Sequence, residues 1–366
     1  MKILIANRGE IAIRIARAAA ELGLETVAIH SQDDARSLHV TKADQAVALP
    51  GSGARAYLDP QAVIAAATAS GCTAVHPGYG FLSENGAFAA ACAEAGIIFI
   101  GPAPGHLELF GDKGAARRHA VTHDVPVVSG LSNEVTESEA LDFFRSLPAG
   151  TKMIIKALAG GGGRGMRVVS NEAELSESFI RAASEARASF GNGALYVEQL
   201  VEAARHIEVQ IAADTSGVVM HFGTRDCTVQ RRHQKIIEIA PAPFVPGTIQ
   251  QSMQDAAIKL AKAADYRSLG TFEFLFDPTR NTWYFIEANA RLQVEHTITD
   301  ELGDGGECRR TILGVRFGNA GQQLRAEGER VAREAGEADE ELLEEGVTQT
   351  HCCGFSAASS ARARSR

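Results

Sequence analysis

Short apolar runs and helix-spaced apolar repeats alternate through the first hundred residues. Ile3-Leu4-Ile5-Ala6 predicts a buried strand. Ile11, Ile15, Ala18 and Leu22 then recur at helical spacing until Gly23 ends the helix. Thr26-Val27-Ala28-Ile29 predicts a second strand. Val47-Ala48-Leu49, an alanine-rich helix around Val63, Thr73-Ala74-Val75, a helix around Phe88 and Ile97-Ile98-Phe99-Ile100 continue the alternation. Strand and helix in turn predict an α/β unit with a parallel sheet covered on both faces, ending near Gly101-Pro102.

A second unit of α+β character opens with a helix around Lys113. Thr136 with Glu139 predicts a capping box ahead of Ala140, Leu141, Phe144 and Leu147. Lys152-Met153-Ile154-Ile155-Lys156-Ala157 predicts a strand that runs into Gly160-Gly161-Gly162-Gly163-Arg164-Gly165, after which Arg167-Val168-Val169 resumes as strand. Asn171 with Glu174 predicts the cap of the next helix, and Leu195-Tyr196-Val197 another strand. His206-Ile207-Glu208-Val209-Gln210-Ile211 alternates with its polar side chains on one face.

The most informative pattern is a predicted hairpin. Phe272, Phe274 and Phe276 share one side of a strand while Glu273 takes the other. Asp277-Pro278-Thr279-Arg280-Asn281 supplies turn chemistry, and a reversal near Arg280 sets Glu273 opposite Glu287. Two carboxylates about 4 Å apart repel by about 4 kcal/mol at an effective dielectric of about 20, so a proton or a cation must reconcile them. Asn289 adds a neutral oxygen on the same face. That donor set suits a hard divalent ion shared with phosphate oxygens. Beyond Asn289, an extended backbone would carry Arg291, Gln293 and Glu295 on the same face. A guanidinium suits a small carboxylate-like anion such as bicarbonate, and Glu295 beside it would accept a proton.

Composition narrows the field. The chain has 366 residues, 45% hydrophobic and 22% charged, enough for two or three domains with cores. A net charge of -9 and pI near 5.7 give no long-range attraction for nucleic acid or an anionic membrane, so phosphate binding must be local. Cys72, Cys92, Cys227, Cys308, Cys352 and Cys353 show neither metal spacing nor a disulfide framework, and a reducing cytoplasm is expected. No signal sequence or bilayer-spanning stretch is expected.

Four glycines between strands suggest backbone N–H groups approaching phosphate, or a flexible hairpin tip. The run is not a Walker loop, and Asn7-Arg8-Gly9-Glu10 after the first strand is not the dinucleotide fingerprint that a dehydrogenase would carry. Lys113 and Lys156 are candidate phosphate ligands or plain surface lysines, and Arg231-Arg232-His233-Gln234-Lys235 by itself reads as a solvated basic face.

Five motifs in one order carry a family resemblance: Ala6-Asn7-Arg8-Gly9-Glu10-Ile11-Ala12, His76-Pro77-Gly78-Tyr79-Gly80-Phe81-Leu82-Ser83-Glu84-Asn85, the glycine loop, Arg225-Asp226-Cys227 through Gln230 to Lys235, and Glu287 through His296. Together they resemble the biotin carboxylases of acetyl-CoA, propionyl-CoA and pyruvate carboxylases. The resemblance implies a Rossmann-like N-terminal domain over residues 1–110 and an ATP-grasp domain over 111–302, with a lid subdomain at about 128–200. It implies that Lys113, Lys156, His206 and Gln230 contact ATP under a lid formed by Gly160, Gly161, Gly162, Gly163 and Gly165, and that Glu198 to Val201 meets the adenine. Glu273, Glu287 and Asn289 would hold Mg²⁺ or Mn²⁺. Lys235 would lie near the transferred phosphate, Arg291 with Gln293 and Val294 would hold bicarbonate, and Glu295 would act as base. The implied reaction makes carboxyphosphate from ATP and bicarbonate and carboxylates biotin. Implied partners are a biotin carboxyl carrier protein or domain and a carboxyltransferase component, with room for a homodimer.

Residues 303–366 depart from this pattern. They are rich in Arg, Glu, Gly and Ala and are expected to form a divergent, charged, poorly ordered tail, of truncated or frameshifted origin. Glu307-Cys308-Arg309 echoes a family motif around a biotin-site arginine but lies too early. The alternative function is therefore a non-catalytic ATP-binding remnant.

Overall fold

The computed structural model describes residues 1–131, 133–158, 165–231, 234–298 and 351–352. The first unit contains β1 (Lys2–Ile5), α1 (Gly9–Glu21), β2 (Glu25–His30), β3 (Gln45–Ala48), α2 (Pro60–Ala69), β4 (Ala74–His76), α3 (Gly86–Glu94) and β5 (Ile98–Phe99). Its strands are all parallel, in the order β3-β2-β1-β4-β5. Leu4, Val27, Ile29 and Val75 pack on α2 and α3, while Ile3 and Ile5 pack on Ile11 and Ile15 of α1. The sheet is thus covered on both faces, as the apolar runs predict. Gly23 adopts φ +67° just past α1, and Leu22 is more exposed than helical spacing suggests because it serves as the cap.

Two helices, α4 (Pro104–Gly111) and α5 (Lys113–Thr122), lead into the second unit. A four-stranded antiparallel sheet, ordered β6-β9-β7-β8, comprises β6 (Gly130–Leu131), β7 (Met153–Ala157), β8 (Arg167–Val169) and β9 (Leu195–Gln199). It is backed by α6 (Glu137–Ser146) and α7 (Leu175–Phe190). Thr136 and Glu139 form the predicted capping box. Asn171 caps a single 3₁₀ turn, Glu172–Glu174, and α7 begins only after it.

The larger sheet holds β10 (Arg205–Ala213), β11 (Val219–Arg231), β12 (Gln234–Ile239), β13 (Ser268–Asp277) and β14 (Thr282–Asn289), with α8 (Gly247–Ala263) packed against it. The order is β14-β13-β10-β11-β12, and β15 (His351–Cys352) pairs with β12 at the edge. Phe272, Phe274 and Phe276 are all buried on the core face with Phe110, Tyr266 and Phe285. Their opposite face is the polar one, which places the site.

Arg291, Gln293 and Glu295 do not continue an extended strand: β14 ends at Asn289, Arg291 sits in a bend and Val294 and Glu295 in a turn. The Arg291 N–H donates to the Asn289 carbonyl, which turns the backbone out of the ladder. Gly160, Gly161, Gly162 and Gly163 lie outside the described residues, as do Arg309 and the tail apart from β15.

Candidate functional site

Strand register lines up four ionisable side chains in one row across the large sheet. Arg225 lies opposite Glu208, Glu208 opposite Glu273, and Glu273 opposite Glu287. The hairpin pairing read from the sequence is therefore present, and Glu208 extends it to three neighbouring carboxylates. Glu208 and Glu273 are buried, a state a carboxylate tolerates only with charged partners.

The partners come from the chain itself. Lys235 on β12 is ion-paired with Glu208, with Glu273 at 3.4 Å and with Glu295 at 2.9 Å. His206 Nε2 lies 2.7 Å from Glu273, and its Nδ1 lies 2.7 Å from the Gln230 amide nitrogen. Asn289 donates to Glu273 at 2.6 Å, as does Gln293 at 3.2 Å. Glu287 is ion-paired with Lys113, the first residue of α5. The sequence argument called for a proton or a bound ion between opposed carboxylates, whereas the folded chain supplies lysine and histidine there.

These contacts set the charge states. Burial alone would raise the Glu273 carboxyl, but His206 and then Lys235 outweigh it and hold Glu273 well below the usual carboxylate range. Burial would lower the Lys235 ammonium, yet Glu273, Glu208 and Glu295 together push it far up. Glu295 is likewise held low, burial being overcome by Lys235. Lys113 moves the other way, lowered by burial and by the neighbouring Lys156 charge.

A second cluster faces the smaller sheet. Lys156 on β7 and Arg117 on α5 both pair with Glu198 of β9, and Lys156 also lies over the Tyr196 ring at 5.9 Å. Val201 follows the end of β9. Gly165 has φ +70°, and a Cβ there would come within 2.9 Å of the Ala157 Cβ, so this position requires glycine. Arg291 donates to Glu84 at 2.9 Å and to the Asn289 side-chain oxygen at 3.1 Å, reaching from the second unit to the first. Gln293 is buried, while Val294 is exposed at the turn.

Residues 1–107 match the family model described as "Biotin carboxylase, N-terminal domain", and residues 112–304 match "Carbamoyl-phosphate synthase L chain, ATP binding domain". The chain belongs to the biotin carboxylase family. Pyruvate carboxylase of Aspergillus niger is 50% identical over 305 residues, which is 82% of this chain and 25% of that protein. The chain thus spans about a quarter of the curated relatives it matches. A biotin carboxylase from Campylobacter jejuni, solved as a β,γ-ATP complex, has 40% identity and a TM-score of 0.83, covering 87% of this chain and 71% of that one. The biotin carboxylase domain dimer of the Hydrogenobacter thermophilus 2-oxoglutarate carboxylase, solved with MgADP, ADP and bicarbonate, has 40% identity and a TM-score of 0.81, covering 86% and 70%. The fold is the family's Rossmann-like domain followed by an ATP-grasp unit, in agreement with the sequence resemblance.

Within this biotin carboxylase framework, Glu208 and Arg225 are site residues that motif reasoning on the hairpin missed. The clean alternation of His206, Glu208 and Gln210 was the signal for Glu208, and Arg225 stood at the head of the motif Arg225-Asp226-Cys227 without a role of its own. His206, Glu208 and Glu273 also place a nitrogen and two carboxylate oxygens within 4.8 Å of one another. No helix among the described residues is long and apolar enough to cross a membrane.

Proposed function

We propose that the chain carries out the first half-reaction of a biotin-dependent carboxylase: ATP phosphorylates bicarbonate to carboxyphosphate, whose CO₂ is then passed to the ureido nitrogen of biotin. The observation that carries this is Lys235, one ammonium shared by Glu273 on the metal side and Glu295 on the bicarbonate side. A cation at that junction can neutralise the phosphoryl group as it moves from nucleotide to bicarbonate oxygen.

Lys113 and Lys156 are then ATP ligands, with His206 and Gln230 beside them and Glu198 to Val201 at the adenine. Each lysine exchanges its carboxylate partner for phosphate when nucleotide binds. Glu273, Glu287 and Asn289 offer two carboxylates and an amide oxygen on adjacent strands, a hard-oxygen set that fits Mg²⁺ or Mn²⁺. A divalent cation bound there would draw charge from the phosphates. Arg291, Gln293 and Val294 bind bicarbonate, and Glu295 takes its proton. Arg291 is held in reach by Glu84, and the glycine lid excludes water from the labile mixed anhydride.

The same reading includes a biotin carboxyl carrier protein or domain, a carboxyltransferase component, a homodimer and a cytoplasmic setting. Pyruvate, acetyl-CoA and propionyl-CoA all remain as final acceptors. The test is ATP hydrolysis by the purified chain with and without bicarbonate, and then with free biotin. Bicarbonate-dependent phosphate release supports the function, and nucleotide binding without turnover makes the chain an ATP-binding remnant.

A further inference from the structure

Arg225 has the largest fully buried side chain among the described residues, and none of the chemistry above uses it. Its guanidinium reaches three other segments. Nε and Nη2 donate to Glu208 Oε2 at 3.2 and 2.9 Å, Nη1 to Gln210 Oε1 at 3.0 Å, and Nη2 also to Thr271 Oγ1 at 3.3 Å and Gln293 Oε1 at 2.9 Å. Glu208 and Gln210 lie on β10, Thr271 on β13, and Gln293 in the segment after β14.

Two of these bonds bear on the bicarbonate site. A guanidinium has donors and no acceptor, so the Gln293 amide can present only its oxygen to Arg225. The amide nitrogen is therefore turned the other way, where it donates to Glu273. On the second arm, Arg225 holds Oε2 of Glu208 while Oε1 of the same carboxylate pairs with Lys235. One rigid fork thus fixes both the orientation of Gln293 and the carboxylate that anchors Lys235. We propose that Arg225 is a positioning residue for bicarbonate: it sets the Gln293 amide and the Lys235 ammonium relative to each other so that both meet the same small anion.

This inference rests on the carboxylase function proposed above. Lysine would keep the charge but cannot span Glu208, Gln210 and Gln293 from one planar fork. In the bicarbonate-dependent ATPase assay, Arg225→Lys should raise the bicarbonate KM by about 10- to 100-fold while the ATP KM moves less than about threefold. Gln293→Leu should raise the bicarbonate KM similarly, and the double variant should be far from additive because one residue acts through the other. A purely architectural arginine would shift both KM values together, or lower only thermal stability, and either result overturns the proposal. If Arg225→Lys does not fold, a crystal structure of the wild-type chain with ADP, Mg²⁺ and bicarbonate decides: Gln293 oxygen on Arg225 and nitrogen toward the anion supports the proposal, and a Gln293 turned off Arg225 refutes it. Wild-type chain without bicarbonate-dependent turnover would instead defeat the parent function, so the two failures are distinguishable.

Discussion

Lys235 and Glu295 form an ion pair at 2.9 Å, although one comes from the start of β12 and the other from the turn beyond β14. The proposed base is thereby held as a carboxylate by the proposed phosphate-side cation. Bicarbonate entering between them would loosen that pair and leave Glu295 a stronger proton acceptor.

Lys235→Ala removes a cation paired with Glu208, Glu273 and Glu295 at once. Bicarbonate-dependent phosphate release should fall by at least about 10²-fold. Steady-state phosphate assays at saturating ATP check this, and an unchanged rate defeats the assignment of Lys235.

Glu287 is held by Lys113 at the position where a metal ligand is proposed. Glu287→Gln should weaken Mn²⁺ binding in the presence of ADP by at least about tenfold, about 1.4 kcal/mol. Titration calorimetry or Mn²⁺ resonance reads this directly, and an unaltered affinity removes Glu287 from the metal set. Loss of turnover in Glu287→Ala is expected on the same grounds.

Glu238 is pushed up from 4.5 to about 7 by burial and by the Glu295 and Glu208 charges. Between those two values the folded chain keeps a proton that the unfolded chain has lost. The stability this group contributes is complete below 4.5 and disappears as pH rises through about 7. Glu238→Gln should abolish that loss, flattening the decline in stability between pH 4.5 and about 7 by up to about 3 kcal/mol. Urea denaturation across the range is the measurement, and an unaltered slope contradicts the burial argument.

Gly165 combines φ +70° with a 2.9 Å approach to Ala157. Gly165→Ala should cost about 1–2 kcal/mol from backbone strain alone, with the contact adding to it. The shift of the denaturation midpoint tests this, and a neutral change would mean the backbone there relaxes freely.

Much of the architecture was legible along the chain. The run at Ile3 to Ala6, the helical spacing of Ile11 and Ile15, and the Thr136 to Glu139 capping box are local signals, and each appears where periodicity places it. The Glu273 to Glu287 pairing was expected too, but the register set at the turn would place Ile286 opposite Glu273, and a register shift between Glu273 and Phe274 is what brings Glu287 there. The path beyond Asn289 was not legible, since parity predicts side-chain direction only while the ladder continues, and the bend at Arg291 ends it.

By itself, the sequence determined the order of strands and helices, the hairpin that carries two carboxylates and the motifs that mark the family. Only the tertiary structure decided how that charge is balanced. Lys113, Lys235, His206 and Arg225 reach their carboxylates from separate strands and helices, and no periodicity along one element records contacts that exist only after a sheet has assembled. Burial then makes each pairing obligatory, because an uncompensated charge on that face would cost several kcal/mol.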